Sequence, residues 1–394
     1  MQSFNWQAST DIRFGKDKIQ DLAELLQSHK IKKVLLTYGS GSIKKNGIFE
    51  SVTEQLKKCN ITTFELANIA PNPRYESVLE GAKICKEENI DLILAVGGGS
   101  IVDCSKAIAL AYGYNGKDFW NDIIKAGKGH TIEKVIPLGV VLTLAATGSE
   151  MNAGAVISNL ATKEKLGVFS PKVKPIFSIL DPEYTYSVPK HQIAAGATDA
   201  FSHCLEQYFS PEDNSIVSDN ILLGIMKSIK TVARTAMDNP KDYNSHANLM
   251  WSATMALNFI TAVGKTGDWA THAMEHAVSA YYDITHAVGL AIITPYWLEY
   301  VLNEKNAYRF QNLGKVVFDI QSTNNANEDA KKTIQAIAEF FKSLDMPSKL
   351  SEVKVEAKNI DGMVTSTFAT GVSTIGNFKT LNPTDVKTIL TNAL

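Results

Sequence analysis

Apolar and polar positions follow two different rhythms along this 394-residue chain. Up to about residue 185, short β-branched and aliphatic runs alternate with amphipathic stretches. Lys33-Val-Leu-Leu-Thr37, Thr62 to Leu66, Leu92-Ile-Leu-Ala-Val96 and Val135-Ile-Pro-Leu-Gly-Val-Val141 read as strands, and the stretches between them as helices. Such alternation predicts a parallel sheet covered by helices, with ligands expected outside the carboxyl ends of the strands. From Pro189 onward the strand-like runs stop. Ile193 to Phe209, Ile216 to Ala236 and Ala247 to Val263 place apolar residues three and four apart, the period of amphipathic helices. Asp181-Pro182 to Pro189 carries two prolines and reads as a connector. The expected architecture is an α/β, Rossmann-like parallel-sheet domain over residues 1–185 and an all-α domain over residues 186–394. Ser322 to Asp329 reads as a polar loop, and the sequence contains no internal repeat or low-complexity tract.

Composition narrows the function classes. With 45% hydrophobic and 20% charged residues the chain is long enough for two separate cores. Thirty-nine basic against forty-one acidic side chains leave a formal charge of -2, which offers no global attraction to nucleic acid or to an anionic membrane. Cys59, Cys85, Cys104 and Cys204 show no CxxC spacing and are too few for a disulfide scaffold, so reduced thiols in a cytoplasmic protein are expected. Met1 to Phe14 lacks the apolar run of a signal peptide, and no stretch approaches the roughly 18 apolar residues of a membrane span.

Two glycine turns carry the first chemical signal. Gly97-Gly-Gly-Ser100 stands between an apolar strand and a helix beginning near Ile101, where glycines let the backbone approach an anion and the free N–H groups of the helix start favour a phosphate. Gly39-Ser-Gly-Ser42 follows the first strand in the same way. Neither is the GxGxxG fingerprint, and a single glycine triplet is equally a tight turn; two in one sheet point to a dinucleotide. An acidic residue at the first turn would hold the ribose 2'-hydroxyl of NAD. Between Gly39 and Lys45 there is none, and Ser40, Ser42, Lys44 and Lys45 offer hydrogen bonds and positive charge instead, which favours NADP(H). Thr143 to Asn152, small and polar after a strand, suits a third loop at the same edge.

The second signal is a set of metal-ligand types in the helical half. Asp199 and His203 are four residues apart, as are His272 and His276, so each pair shares one helix face. His272, His276 and His286 fall within fifteen residues although the whole chain has only eight histidines. A lone histidine on an apolar helix is usually a hydrogen-bonded core residue, and an aspartate near a helix start usually serves the dipole. Their recurrence in one domain argues for a divalent metal held by imidazoles and a carboxylate.

Taken together these segments resemble the iron-containing (group III) alcohol dehydrogenases, most closely the subgroup of NADPH-dependent butanol dehydrogenases and broad-range aldehyde reductases. The resemblance runs through Phe14-Gly-Lys16, Tyr38 to Gly47, Pro71-Asn-Pro73, Gly97 to Lys106, Ala146-Thr-Gly-Ser-Glu150, Asp199-Ala-Phe-Ser-His203 with Glu206-Gln-Tyr208, Asp268-Trp-Ala-Thr-His272 and His286 to Ile292. It implies metal ligation by Asp199, His203, His272 and His286, with His276 beside the nicotinamide as the catalytic histidine rather than a ligand. It places Ser40, Gly41 and Ser42 at the 2'-phosphate end, Asn72 at the adenosine, and Gly97, Gly99, Ser100 and Asp103 at the pyrophosphate. Thr143, Asn152, Lys165 and Tyr184 complete the cofactor wall. Ser40 departs from the subgroup, which more often has glycine there; its Cβ narrows the turn and its hydroxyl adds a donor.

The implied activity is hydride transfer between the nicotinamide C4 and a metal-bound short-chain primary alcohol or aldehyde, by a homodimer with neither nucleic-acid nor membrane partner. Three imidazoles and a carboxylate accept Fe(II) or Zn(II); intrinsic affinity favours zinc and the resemblance favours iron. Two other readings are a lyase of the dehydroquinate synthase type, which would need basic side chains near the motifs beyond Lys265, and a metallohydrolase with a nucleotide-sensing α/β half.

Overall fold

A computed structural model describes residues 1–212 and 214–394. The chain divides into two compact units, Gln7–Val188, and Met1–Trp6 together with Pro189–Leu394.

The first unit is α/β. Its strands are β1 (Asp11–Phe14), β2 (Lys33–Tyr38), β3 (Thr62–Leu66), β4 (Leu92–Gly97), β5 (Leu138–Leu142), β6 (Gly154–Asn159), β7 (Glu164–Phe169) and β8 (Phe177–Leu180). Its helices are α1 (Leu22–Ser28), α2 (Ser42–Lys45), α3 (Ile48–Lys58), α4 (Tyr75–Glu88) and α5 (Gly99–Gly113). Six strands form one sheet in the order β1-β8-β5-β4-β2-β3, every neighbouring pair parallel, and β6 and β7 form a separate antiparallel hairpin. The inner strands β4, β5 and β8 are buried along their whole length, because helices cover both faces of a parallel sheet. Leu26, Val34, Leu36, Leu94, Val96 and Phe177 are among the residues that fill one such core.

The strand runs read from sequence all occur, with one shift. β5 begins at Leu138 rather than Val135, since Pro137 has no N–H for the ladder and contributes only its carbonyl, which accepts from Ile93 N–H at 3.0 Å. The hairpin and β8 lie beyond the predicted strands. β8 is only four residues long and gives no alternation to read.

The second unit is helical: α6 (Lys190–Tyr208), α7 (Ile216–Asp238), α8 (Tyr243–Ala256), α9 (Ala270–Tyr282), α10 (His286–Val301), α11 (Ala307–Phe318), α12 (Ala326–Ser343), α13 (Ile360–Thr367) and α14 (Pro383–Asn392). α6 is its centre, buried continuously from Ile193 to Tyr208 and packed by α7, α8 and α10. The helix expected to run to Val263 ends at Ala256, ahead of Phe259 and Gly264 in left-handed conformation (φ 68° and 75°). Residues 1–6, expected in the α/β half, belong to this unit instead. Gln2 N–H donates to the Gly264 carbonyl at 3.1 Å, its side-chain amide to Thr266 Oγ1 at 3.1 Å, and the Met1 amine bonds Asn214. No helix among the described residues is long and apolar enough to cross a membrane.

Candidate active site

The helical unit gathers its ligand-type side chains from three helices. Asp199 and His203 project from the buried middle of α6, His272 from the first turn of α9, and His286 is the first residue of α10. Asp199 Oδ1 lies 3.7 Å from both His203 Nε2 and His286 Nε2. The His272 ring is 4.8 Å from that of His203 and 5.1 Å from that of His286. One ligand atom each from Asp199, His272 and His286 falls within 4.8 Å of the others. Three of the four residues that the sequence singled out thus meet at ligand spacing, and His203 lies beside them, next to Asp199 and stacked on His272.

Two carboxylates behind them set which nitrogen faces that point. Glu206 Oε2 bonds His272 Nδ1 and Glu275 Oε2 bonds His286 Nδ1. With Nδ1 tied to a carboxylate, the proton stays on Nδ1 and the Nε2 lone pair is left for a metal. His272 Nε2 is buried with no hydrogen-bond partner. An orphaned buried acceptor costs about 1–3 kcal/mol, so this atom fits a ligand of the centre better than a core histidine. Glu206 is itself fixed by the Thr271 N–H, which donates to Oε1 at 2.7 Å at the start of α9. Glu275 also accepts from Ser279 Oγ, and Gly289 gives it room: a Cβ there would lie 2.7 Å from Glu275 Cγ.

Charge in the cluster is consistent with a cation. Burial, together with the neighbouring His272 and His286, holds the His203 imidazolium well below its usual range, so the ring is neutral. Burial pushes His272 down as well, but contact with Glu206, helped by Asp199 and Glu275, outweighs it and raises the group. Asp268 stands one turn before His272, and burial and nearby Glu206 push it up to about 7. It caps α9 by accepting from Ala270 N–H at 3.0 Å and holds the C-terminal segment through Asn377 and Phe378 N–H at 3.0 and 2.8 Å.

His276 follows His272 by one turn and is partly exposed, its ring 6.2 Å from His272 and 5.3 Å from His286. Glu275, His276 and His286 satisfy the same ligand spacing as the first set. The Glu275 carboxylate is already committed to His286 and Ser279, which makes it a support for the centre. Glu206 and Glu275 were given no role by the sequence reading; their one signal is that each follows a ligand histidine by three residues. Glu275→Gln is expected to lower metal affinity on the order of tenfold with the fold intact, measured by competition with a chromogenic chelator. Unchanged affinity would show that this carboxylate does not tune the ligand.

In the α/β unit, Gly39–Ser42, Gly97–Ser100 and Thr143–Asn152 follow β2, β4 and β5, three neighbouring parallel strands, so the three loops share one edge of the sheet. The chain turns outward from β2 to β3 and then returns to β4 on the other side of β2, so the crevice between β2 and β4 is the topological switch point where ligands of such sheets bind. Gly41 (φ 102°) precedes α2, and Gly98 precedes α5. Gly99 is required by close approach: a Cβ there would lie 2.4 Å from Thr147 Oγ1. Thr143 N–H donates to Gly97 O at 3.0 Å, tying two of the loops.

The remaining expected cofactor residues lie in the same unit. Asn72 follows β3 in left-handed conformation (φ 52°), Lys165 is buried on β7, and Tyr184 packs on the core beside the sheet. Asp103 and Asn152 spend their side chains within the protein: Asp103 accepts from Ser149 Oγ at 2.5 Å and Val156 N–H at 2.9 Å, and Asn152 Oδ1 accepts from Lys106 Nζ at 2.9 Å. Sequence reasoning missed Glu65 at the end of β3. It accepts from the Tyr38 hydroxyl at 2.5 Å and lies 3.9 Å from Lys44 Nζ, which also sits 4.9 Å above the Tyr38 ring.

Known proteins are similar to this chain in sequence and fold. Residues 9–182 match the family described as iron-containing alcohol dehydrogenase, and residues 193–394 the C-terminal region of the Fe-containing alcohol dehydrogenase family. NADH-dependent butanol dehydrogenase A of Clostridium acetobutylicum is 44% identical, with 98% of each chain covered. NADPH-dependent aldehyde reductase YqhD of Escherichia coli is 37% identical over 95% of each. The crystal structure of NADH-dependent butanol dehydrogenase A from Thermotoga maritima has a TM-score of 0.94 at 39% identity, covering 100% of this chain and 99% of its own.

Proposed function

This chain belongs to the iron-containing alcohol dehydrogenase family, and from that premise we propose that it is a metal-dependent, NADP(H)-linked alcohol dehydrogenase and aldehyde reductase acting on short-chain primary alcohols and aldehydes. The observation that carries the reading is the convergence of Asp199, His272 and His286, with His203 beside them and His272 Nε2 buried and unsatisfied. These four residues would hold one divalent ion, Fe(II) on family membership and Zn(II) on donor chemistry, which when bound supplies a Lewis acid for the substrate oxygen while the nicotinamide carries the hydride. Glu206 and Glu275 orient the imidazoles of His272 and His286. His276, partly exposed and outside the ligand set, exchanges the hydroxyl proton of the substrate at an imidazole nitrogen. Lys265, the basic side chain that a lyase reading would recruit, is buried against Asp219. Four unpaired cysteines, three of them buried, support a cytoplasmic setting, and a homodimer is part of the same reading.

The decisive assay mixes protein and NADPH, follows energy transfer from protein to nicotinamide fluorescence, and then adds an aldehyde. The reading requires a loss of 340 nm absorbance that depends on the metal. A lyase or a hydrolase would consume no NADPH.

Cofactor choice is a separate test. Ser40, Ser42 and Lys44 beside Gly41 support NADP(H), and NADPH is expected to exceed NADH by about tenfold in kcat/KM. Ser40→Asp should erase that preference. The opposite choice is favoured by Glu65, which draws Lys44 toward the Tyr38 hydroxyl and places a carboxylate near the turn. Equal or better use of NADH by the unmodified enzyme decides for Glu65.

A further inference from the structure

We propose that Lys106 is a positioning residue for the dinucleotide: its buried ammonium clamps the Thr147–Gly154 segment onto α5 and thereby fixes the wall that faces the glycine turn. The inference rests on the dinucleotide reading of that turn and assigns a duty to a side chain that the reading leaves unused.

Lys106 has no exposed surface. Its Nζ donates to Ser149 Oγ at 2.8 Å, Asn152 Oδ1 at 2.9 Å and the Gly154 carbonyl at 2.9 Å, using all three protons of the ammonium. Asp103, one turn earlier on the same helix face, receives the Ser149 hydroxyl at 2.5 Å and the Val156 N–H at 2.9 Å. Ser149 thus accepts from the lysine and donates to the aspartate. Asn152 Oδ1 accepts in addition from Gly154 N–H at 3.0 Å, and its amide donates to the Thr147 carbonyl at 3.3 Å. The segment from Thr147 to Ala153 lies between β5 and β6 outside both sheets, so this side-chain network stands in for a ladder.

The placement explains why a cation is tolerated there. Burying an ammonium is expensive, and burial pushes Lys106 down to about 8 against the opposing pull of Asp103 and Glu150. An apolar side chain of the same length would pack at lower cost if filling space were the only task. What the lysine adds is three directed bonds, two into the irregular segment at Ser149 and Asn152 and one to Gly154 where β6 begins. That segment reaches the turn itself, because Thr147 leaves no room for a Cβ at Gly99, the first residue of α5. Any drift of residues 147–154 therefore moves the surface next to the N–H groups that would receive the pyrophosphate.

The test is Lys106→Met in the full-length, metal-loaded enzyme, compared with wild type by fluorescence titration with NADPH and NADH, steady-state kinetics, metal analysis and thermal melting. The expected result is a rise of about tenfold or more in Kd and KM for both dinucleotides, equivalent to about 1.4 kcal/mol, with kcat at saturating cofactor within about threefold of wild type. Metal content should be unchanged, because the ligands belong to the other unit. A lower melting temperature with unaltered Kd would mean that Lys106 merely stabilises the fold, and the proposal fails; a fall in kcat with unchanged KM defeats it equally. Should Lys106→Met not fold, Ser149→Ala, which removes one of the three acceptors, decides: a Kd raised about threefold supports the clamp and an unaltered one refutes it. Wild-type protein that binds neither dinucleotide overturns the functional reading itself, a result distinct from any difference between variants.

Discussion

Replacing His272 with alanine is expected to leave the helical unit without most of its metal and to lower turnover on the order of 10³-fold, while NADPH still binds the α/β unit. The magnitude follows from losing the several kcal/mol that a Lewis acid contributes at the substrate oxygen, at about 1.4 kcal/mol per decade of rate. His272 is the sharpest choice among the ligands because its Nδ1 is held by Glu206 and its Nε2 is buried and otherwise unsatisfied. Its removal also leaves the Glu206 carboxylate without the imidazole, although Oε1 keeps the Thr271 N–H. Metal analysis, the 340 nm assay and an NADPH titration measured on one preparation check all three parts. A variant that keeps full metal occupancy and normal turnover rules His272 out as a ligand.

His276→Ala should behave differently although it lies on the same helix. The variant is expected to retain its metal, lose on the order of 10² in kcat, and show a shifted pH–rate profile, because a titrating group has left the proton path. The contrast comes from surroundings. His272 is buried and backed by a carboxylate, whereas His276 is partly exposed beside the His286 ring. Protein that emerges metal-free would make His276 a ligand after all, and metal-replete protein with unaltered rate and pH profile would leave it no part in the chemistry.

What could be read from the chain followed where the physics is local. Buried parallel strands announce themselves as continuous apolar runs ending in small residues, so β2, β4 and β5 and their loops were legible. The edge strand β1 is not: it is four residues long and carries Asp11 and Arg13, which blurs any pattern, whereas β3 at the other edge kept enough β-branched and aromatic residues to be read although three of its five positions are exposed. The histidines of the centre were visible because the residue type is scarce and the helical spacing regular. Glu206 and Glu275 were not, because a glutamate on a helix is commonplace and only the packing of α9 and α10 against their neighbours brings each carboxylate to a ring nitrogen. Asp103 and Asn152 illustrate the reverse case. Their places in a motif were readable, but that their side chains turn toward Ser149, Val156 and Lys106 depends on how the segment after β5 folds back on α5.

The position of β1 in the sheet has a consequence for biosynthesis. The strand pairs only with β8, Asp11 standing opposite Phe177, and β8 in turn joins β5. During translation β1 thus has no native neighbour until almost the whole α/β unit has emerged. Residues 1–6 wait longer still, since Gln2 bonds Gly264. So long a sequence separation favours slow, late closure of this sheet border.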